Sequence, residues 1–266
     1  MEKQLENSLT VDSLRRCIER LEGGGGCADD AGGGENANGN LIVSSGCAGL
    51  DRLLPGRGFR RGTLVEWLAD GDANCRGSGA ATLAAIVAKN ACGHNTTGEA
   101  KTLVVVDHRG EFYPPGAAGL GIDLKRLVVV QPENKADNDW ALDQALRCPG
   151  VGAVLAWQRQ IDGRTFRRLQ LAAEQSAAVG LLIRPAAARV EPSWADVRLL
   201  IEPLGKALTM GRWRNKRRLR IHLLRCRGGT SGRSLDVEIG NDINNETHTV
   251  HPLAELVQAA ASCRAV

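Results

Sequence analysis

Short apolar runs alternate with segments of helical spacing from Ser44 onward. The runs are rich in β-branched residues and read TLVEWL, TLVVV (102–106), LVVV (127–130), GAVLAW (152–157), VGLLI (179–183) and VRLLI (197–201). Segments with helical spacing lie at 80–92, 138–147 and 165–178. Continuous apolar strands separated by helices are typical of a parallel sheet that is covered on both faces. The pattern therefore predicts an α/β fold with a mainly parallel sheet.

The segment that follows Thr165 shows the helical pattern most clearly. A stripe of side chains at helical spacing is predicted to face the core: Phe166, Leu169, Ala173 and Ala177. The opposite side, with Arg167, Arg168 and Gln170, is predicted to face solvent.

Beyond residue 205 the helical pattern stops, and two runs follow in which apolar and polar residues alternate. The runs LRIHLL (219–224) and LDVEI (235–239) alternate apolar and polar residues, and RCRGGTSGRS lies between them. Alternation of this kind predicts half-buried strands. We expect a C-terminal antiparallel hairpin that extends one edge of the sheet.

The ends of the chain differ in composition from this regular part. Residues 1–22 place Val11, Leu14, Cys17, Ile18 and Leu21 at helical spacing, which predicts an amphipathic helix. Residues 23–43 are rich in glycine and predict a flexible linker. The α/β domain is then expected at 44–250, with a tail or short helix at 251–266. The N-terminal helix is either a loosely packed terminal element or a helix that docks on a partner.

Composition narrows the class of protein. The 266 residues are 43% hydrophobic and 24% charged, as in a globular protein that buries a full core. The sequence has no apolar run near the roughly 20 residues that span a bilayer, and MEKQLENSLT lacks a signal-peptide core. We therefore expect a cytoplasmic location. The eight cysteines and five histidines show no metal-binding spacing, so no metal site is predicted.

The stretch RGTLVEWLADGDANCRGSGAATLAAIVA (61–88) has the order in which a phosphate-binding P-loop is built. A predicted strand, Thr63 to Leu68, runs into a glycine-bearing turn and then a helix of small residues. In an active P-loop a lysine neutralises the β- and γ-phosphates and a hydroxyl side chain binds Mg²⁺. Here Ala80 and Ala81 occupy those two positions, and Thr82 comes one residue late.

A basic segment is the strongest candidate binding site. Pro203 to Leu235 holds ten basic residues and no Asp or Glu, within a chain of net charge +4. Its densest part also carries an aromatic side chain, and the candidate DNA-binding residues are Arg212, Trp213, Arg214, Lys216, Arg217, Arg218 and Arg220. Arginines would contact phosphates and the tryptophan would stack on a base, which predicts binding of single-stranded DNA. The alternative is a solvated hairpin edge whose arginines prevent edge-to-edge pairing.

Several stretches in a shared order resemble a known family. They read SGCAGLDRLLPGRGFRRGTLVEW, VVVDHRGEFYPPGAAGLGIDLKRLVVVQP, DQALRCPGVGAVLAW, DGRTFRRLQLAAE and LRIHLLRCRGG, and span roughly residues 44 to 240. They resemble the ImuA group of RecA-like and SulA-like proteins, within the RecA ATPase-fold superfamily. The resemblance implies a RecA-like fold, a role in SOS-type DNA repair by translesion synthesis in the bacterial cytoplasm, and contact with DNA. It also implies partnership with a Y-family polymerase-like protein and a replicative-type polymerase.

The same resemblance allows the catalytic positions to be checked. The RecA pattern D-x-E after the strand TLVVV finds Asp107, but Arg109 stands at the glutamate position and Glu111 lies two residues further on. The strand that should end in a Mg²⁺-binding acid ends in Trp157. We therefore predict no turnover of ATP, and binding of ATP and Mg²⁺ that is weak at most. The degenerate nucleotide-binding residues would be Arg76, Gly77, Ser78, Gly79, Ala80, Ala81, Thr82, Asp107 and Glu111.

Two other functions compete with a non-catalytic DNA-repair protein. In the first, Arg76 and Glu111 replace the lost groups in a rearranged loop and the chain is a working DNA-dependent ATPase. In the second, the chain is a SulA-like inhibitor of cell division that binds no nucleic acid.

Arg225 and Arg227 precede Gly228 and resemble the K-x-R-G element of RecA-like and KaiC-like ATPases. In that element the basic residues reach the nucleotide of a neighbouring subunit, so the resemblance makes this pair a candidate for a homo-oligomer interface. The alternative is a structural arginine pair within one chain.

Overall fold

The computed structural model describes Arg16 and residues 42–69, 79–93, 100–110, 112–204, 217–241 and 248–252. The strands in these ranges are β1 Ile42–Val43, β2 Phe59–Arg60, β3 Leu64–Ala69, β4 Thr102–Val106, β5 Leu127–Val130, β6 Val151–Trp157, β7 Val179–Pro185, β8 Val197–Leu204, β9 Arg217–Cys226, β10 Arg233–Asn241 and β11 His248–Pro252. The helices are α1 Ala48–Asp51, α2 Ala80–Cys92, α3 Pro114–Gly119, α4 Lys135–Arg147 and α5 Gly163–Ser176. Short 3₁₀ turns cover Leu124–Arg126 and Ala186–Val190.

One nine-stranded sheet organises the fold, in the order β11-β10-β9-β8-β3-β7-β6-β4-β5. The strands from β8 to β5 are parallel to one another. β9 joins β8 in antiparallel pairing, and β10 and β11 continue the antiparallel part. The predicted α/β fold, with a mainly parallel sheet and a C-terminal antiparallel hairpin, is confirmed. The edge strand β11 and the small β1–β2 ladder were not predicted.

Side-chain hydrogen bonds cap α4 and α5 and determine where these two helices begin. The Asn134 side chain accepts the Asp137 amide at 2.9 Å, so α4 begins at Lys135, three residues before the predicted start. The Asp162 side chain accepts the Thr165 amide at 2.9 Å, and this hydrogen bond lowers the pKa of Asp162. α5 ends at Ser176, not at 178, because Ala177 adopts the left-handed conformation with φ of 61°.

The sheet is covered on both faces, as predicted. Side chains such as Val65 and Trp67 pack on one face beneath α2, whereas Leu64 packs on the other face with residues of α4 and α5. One assignment on α5 was wrong: Gln170 was predicted to face solvent but is only 2% exposed. Its amide can be buried because it accepts from Arg167 at 2.5 Å and donates to Glu174 at 2.9 Å within the same helix.

The carboxyl ends of β3, β4, β6 and β7 meet at one end of the sheet, which we call the carboxyl edge. Since β9 is antiparallel to β8, it begins at this edge, where Arg218 pairs with Leu204. It ends at the opposite edge, where Cys226 pairs with Val197. Among the described helices, none is long and apolar enough to cross a membrane.

Candidate functional site

The N-terminus of α2 lies at the carboxyl edge and is tightly packed. Gly79 precedes the helix with φ of 80°, and a Cβ at this position would lie 2.5 Å from a methyl carbon of Leu219 on β9. Ala80 is fully buried, whereas Ala81 and Thr82 are partly buried. The position at which a P-loop carries its lysine is therefore part of the core. Arg76, Gly77 and Ser78 lie outside the described residues.

Asp107 follows β4 at the same edge and is 2% exposed. Its carboxylate accepts the backbone amides of Arg109 at 3.2 Å and Phe112 at 2.6 Å. The side chain therefore holds the turn that leads toward α3, which is a structural use of the carboxylate. Glu111 lies outside the described residues.

Trp157 ends β6, where the resemblance calls for an acid. Its ring centroid lies 6.4 Å from that of Phe112, and both side chains pack, partly buried, against the core under α2. This part of the carboxyl edge thus carries an apolar aromatic pair, which cannot bind a divalent cation.

Two arginines of β9, in the basic hairpin formed by β9 and β10, lie in ion pairs with acids of β10. The guanidinium of Arg220 contacts the carboxylate of Asp236 through two hydrogen bonds of 2.6 and 2.8 Å. This contact raises the pKa of Arg220 and lowers the pKa of Asp236. Arg218 donates to Glu238 at 3.1 Å. The basic run contains no acid in the sequence, but the register of the hairpin brings acids from beyond residue 235 beside it.

His222 forms a third set of polar contacts across the antiparallel strands. His222 contacts the Glu202 carboxylate through Nε2 at 2.8 Å and the Ser234 hydroxyl through Nδ1 at 2.7 Å. The three residues belong to β8, β9 and β10 and are exposed or partly buried. Their contacts, like those of Arg218 and Arg220, link neighbouring antiparallel strands.

Arg217 differs from these arginines. It is exposed, begins β9 at the carboxyl edge, and forms no ion pair with any residue that the structure describes. The segment that precedes it in the chain includes Arg212, Trp213, Arg214 and Lys216, which lie outside the described residues. Three of the predicted DNA-binding residues lie in the part of the chain that the structure describes. Among these three, Arg218 and Arg220 are paired with acids, so Arg217 is the one whose charge is available to a ligand.

Arg225 and Arg227 lie at the end of β9, away from the carboxyl edge. Arg225 donates to the Ser193 carbonyl at 2.8 Å, and Arg227 lies 3.7 Å from the Asp196 carboxylate. Burial raises the pKa of Asp196, and the Arg227 charge opposes that shift. These contacts hold the connection that enters β8. A role at the nucleotide of a neighbouring subunit stays a prediction.

Sequence reasoning missed a buried ionic cluster. Glu66 on β3 is fully buried and lies 2.5 Å from Arg184 of β7 and 2.5 Å from Arg198 of β8. Its other contacts extend to Ser193 at 2.7 Å, and Arg184 also pairs with Glu191 at 2.5 Å. The signal in the sequence was one charged residue in each of three apolar strands, LVEW, VGLLIR and VRLLI.

Fold and site together define an α/β protein whose sheet is mainly parallel, whose helix α2 begins with the buried Ala80, and whose antiparallel extension is rich in arginine. A search of protein-family models finds no match. Protein ImuA of Caulobacter vibrioides, from strains NA1000 / CB15N and ATCC 19089 / CIP 103742 / CB 15, is similar to this chain. In each case 30% of residues are identical over 207 residues, which cover 72% of this chain and 81% of the relative. The chain belongs to the ImuA family.

Proposed function

We propose that this chain is a RecA-like accessory protein of DNA damage tolerance, which binds single-stranded DNA and translesion polymerase components in the cytoplasm. Membership of the ImuA family supports the role in SOS-type translesion synthesis. The observation that carries the DNA contact is Arg217 at the end of a basic segment, which is exposed and forms no ion pair with any residue that the structure describes.

We expect the residues of the basic segment to contribute unequally to DNA binding. Arg212, Arg214, Lys216 and Arg217 contribute most of the phosphate contacts, and Trp213 supplies a stacking surface for a base. Arg218 and Arg220 contribute less, since each would have to give up its ion pair with Glu238 or Asp236 to bind a phosphate.

We expect that this protein does not hydrolyse nucleotides. Ala80 replaces the lysine that stabilises charge on the transferred phosphate, and Trp157 replaces the acid that binds Mg²⁺. Losing one such group typically costs several kcal/mol of transition-state stabilisation. The amides at the start of α2 still favour an anion, so weak binding of a phosphate or nucleotide is compatible with the proposal.

The polymerase contact is assigned to the basic hairpin and to the terminal segments, 1–22 and 251–266. These segments lie outside the described residues except for Arg16, His251 and Pro252, and the assignment follows from the family resemblance and the glycine-rich linker at 23–43. Self-association through Arg225 and Arg227 would use side chains that already hold the connection into β8.

Two measurements on the full chain test this function. Fluorescence anisotropy with a labelled single-stranded oligonucleotide should show binding that weakens steeply as salt rises. An ATPase assay with Mg²⁺, with and without that oligonucleotide, should show no turnover above background. Turnover that disappears in Arg76→Ala would favour the working ATPase, and absence of DNA binding would favour the SulA-like regulator.

A further inference from the structure

Exposed apolar side chains and arginines lie on α5 and on the connection between β7 and β8, two elements that meet where Arg167 contacts Trp194. The apolar residues are Val190, Trp194 and Leu171, with 84%, 47% and 40% of their surface exposed. The basic residues are Arg164, Arg167 and Arg189, all exposed. We call these six residues the Trp194 surface.

Arg167 joins the two elements of this surface. Its guanidinium carbon lies 4.9 Å from the centroid of the Trp194 ring, which is the geometry of a cation–π contact. Arg164 and Leu171 lie one turn before and one turn after Arg167 on α5, so the three share one face of that helix. The surface therefore runs from the start of α5 across the tryptophan.

The buried ionic cluster holds the connection from below. The Arg198 guanidinium donates to the carbonyls of Ala188 at 2.7 Å and of Arg189 and Glu191 at 3.3 Å. Arg184 pairs with Glu191, and the Ser193 hydroxyl donates to Glu66. Val190 and Trp194 thus lie on an anchored segment. Binding of a ligand there costs little conformational entropy, because the segment is already ordered.

The surface carries three arginines. Within the part of the chain that the structure describes, Arg164, Arg167 and Arg189 form no ion pair. The neighbouring Arg168 contrasts with them, because it lies 3.5 Å from Asp143 of α4. A ligand for the Trp194 surface should therefore be anionic.

We propose that the Trp194 surface docks an acidic segment of a partner protein that carries a large apolar side chain. Exposed tryptophan and arginine on a supported patch are the residue types that dominate binding energy at protein interfaces. The exposed aliphatic side chains Val190 and Leu171 favour a protein over a nucleic acid, since they offer neither a stacking face nor a phosphate contact. This docking site goes beyond the proposed DNA contact and uses different residues.

The probe is a set of short synthetic peptides rich in Asp and Glu, each with a central Leu, Phe or Trp. Matched peptides replace the central residue by Ser, or the acids by Asn and Gln. Binding to the full chain is measured by anisotropy. The expected result is binding that requires both the acids and the apolar residue, and that falls by about tenfold or more in Trp194→Ala and in Arg167→Ala.

Three further variants separate docking from misfolding. Trp194→Phe keeps an apolar ring and should retain most of the binding, whereas Tyr113→Ala and Leu124→Ala remove exposed apolar side chains elsewhere and should retain all of it. The proposal is overturned if no acidic peptide with a large apolar residue binds, or if folded Trp194→Ala binds it like the unchanged protein. It is also overturned if Trp194→Ala weakens binding of a single-stranded oligonucleotide and leaves the peptide unaffected. Failure of this test with intact oligonucleotide binding leaves the proposed DNA contact standing.

Discussion

The Arg184 guanidinium lies 2.5 Å from the Glu66 carboxylate, and both side chains are fully buried. Three neighbouring strands of the parallel sheet each supply one member of this cluster, since Arg198 completes it from β8. The cluster ties β7, β3 and β8 together and anchors the connection that carries Trp194.

Removing one charge from this cluster should lower the free energy of unfolding substantially. Glu66→Gln leaves Arg198 without its acidic partner and Arg184 with only the partly exposed Glu191, and breaking a buried pair in this way costs about 3–5 kcal/mol. Urea denaturation measures the loss. Lys135→Ala is the matched control, because it breaks an exposed pair with Asp139 and should cost less than about 1 kcal/mol. Equal stabilities for the two variants would contradict the structural role of Glu66.

The parallel core and the hairpin could be predicted from the sequence because each leaves a local pattern. Continuous apolar runs marked the strands from β3 to β8, and alternation marked β9 and β10. The start of α2 was also predicted correctly, but the starts of α4 and α5 were less accurate because a single cap residue, Asn134 or Asp162, decides them.

The ionic contacts could not be predicted in the same way because they depend on strand order and register. Glu66 meets Arg184 and Arg198 only because β3 lies between β7 and β8. Asp236 faces Arg220 only because of the register in which β10 pairs with β9. The sequence run from Pro203 to Leu235 therefore suggested more free positive charge than the folded hairpin presents.

The contact between Gly79 and Leu219 predicts coupled substitutions. Gly79→Ala should cost about 1–3 kcal/mol, because its φ is positive and its new methyl group meets Leu219. Leu219→Ala opens that space, so the double variant should be more stable than the sum of the two losses predicts. A double-mutant cycle by urea denaturation gives the coupling; additivity within about 0.5 kcal/mol would rule out this packing.

Restoring the missing lysine should harm the fold and not create an ATPase. Ala80 is fully buried, so Ala80→Lys places an ammonium group in a packed core and should cost more than about 2 kcal/mol. Ala81→Lys, at a partly exposed neighbour, should cost less than about 1 kcal/mol. Thermal denaturation and an ATPase assay follow both variants. A stable, hydrolysing Ala80→Lys protein would refute the assignment of this position to the core.

The Arg220–Asp236 pair predicts a pH dependence with a defined sign. Arg220 lowers the pKa of Asp236 in the folded state. The pair therefore stabilises the fold above the unfolded-state pKa of an aspartate, about 3.9, and this contribution is lost as the pH falls through the lower folded-state pKa. Asp236→Asn should lower the urea midpoint at neutral pH, and the difference from the unchanged protein should shrink in acid. A difference that grows in acid would have the wrong sign.

The salt dependence of binding is the sharpest test of whether the basic segment contacts single-stranded DNA. Each neutralised phosphate of a single strand contributes about 0.7 to the slope of log affinity against log salt. Changing Arg214, Lys216 and Arg217 together to Ala should flatten that slope by about two units. Arg220→Ala, which removes an arginine already paired with Asp236, should leave the slope nearly unchanged. An unaltered slope in the folded triple variant would contradict the account and leave the basic segment as a solvated edge.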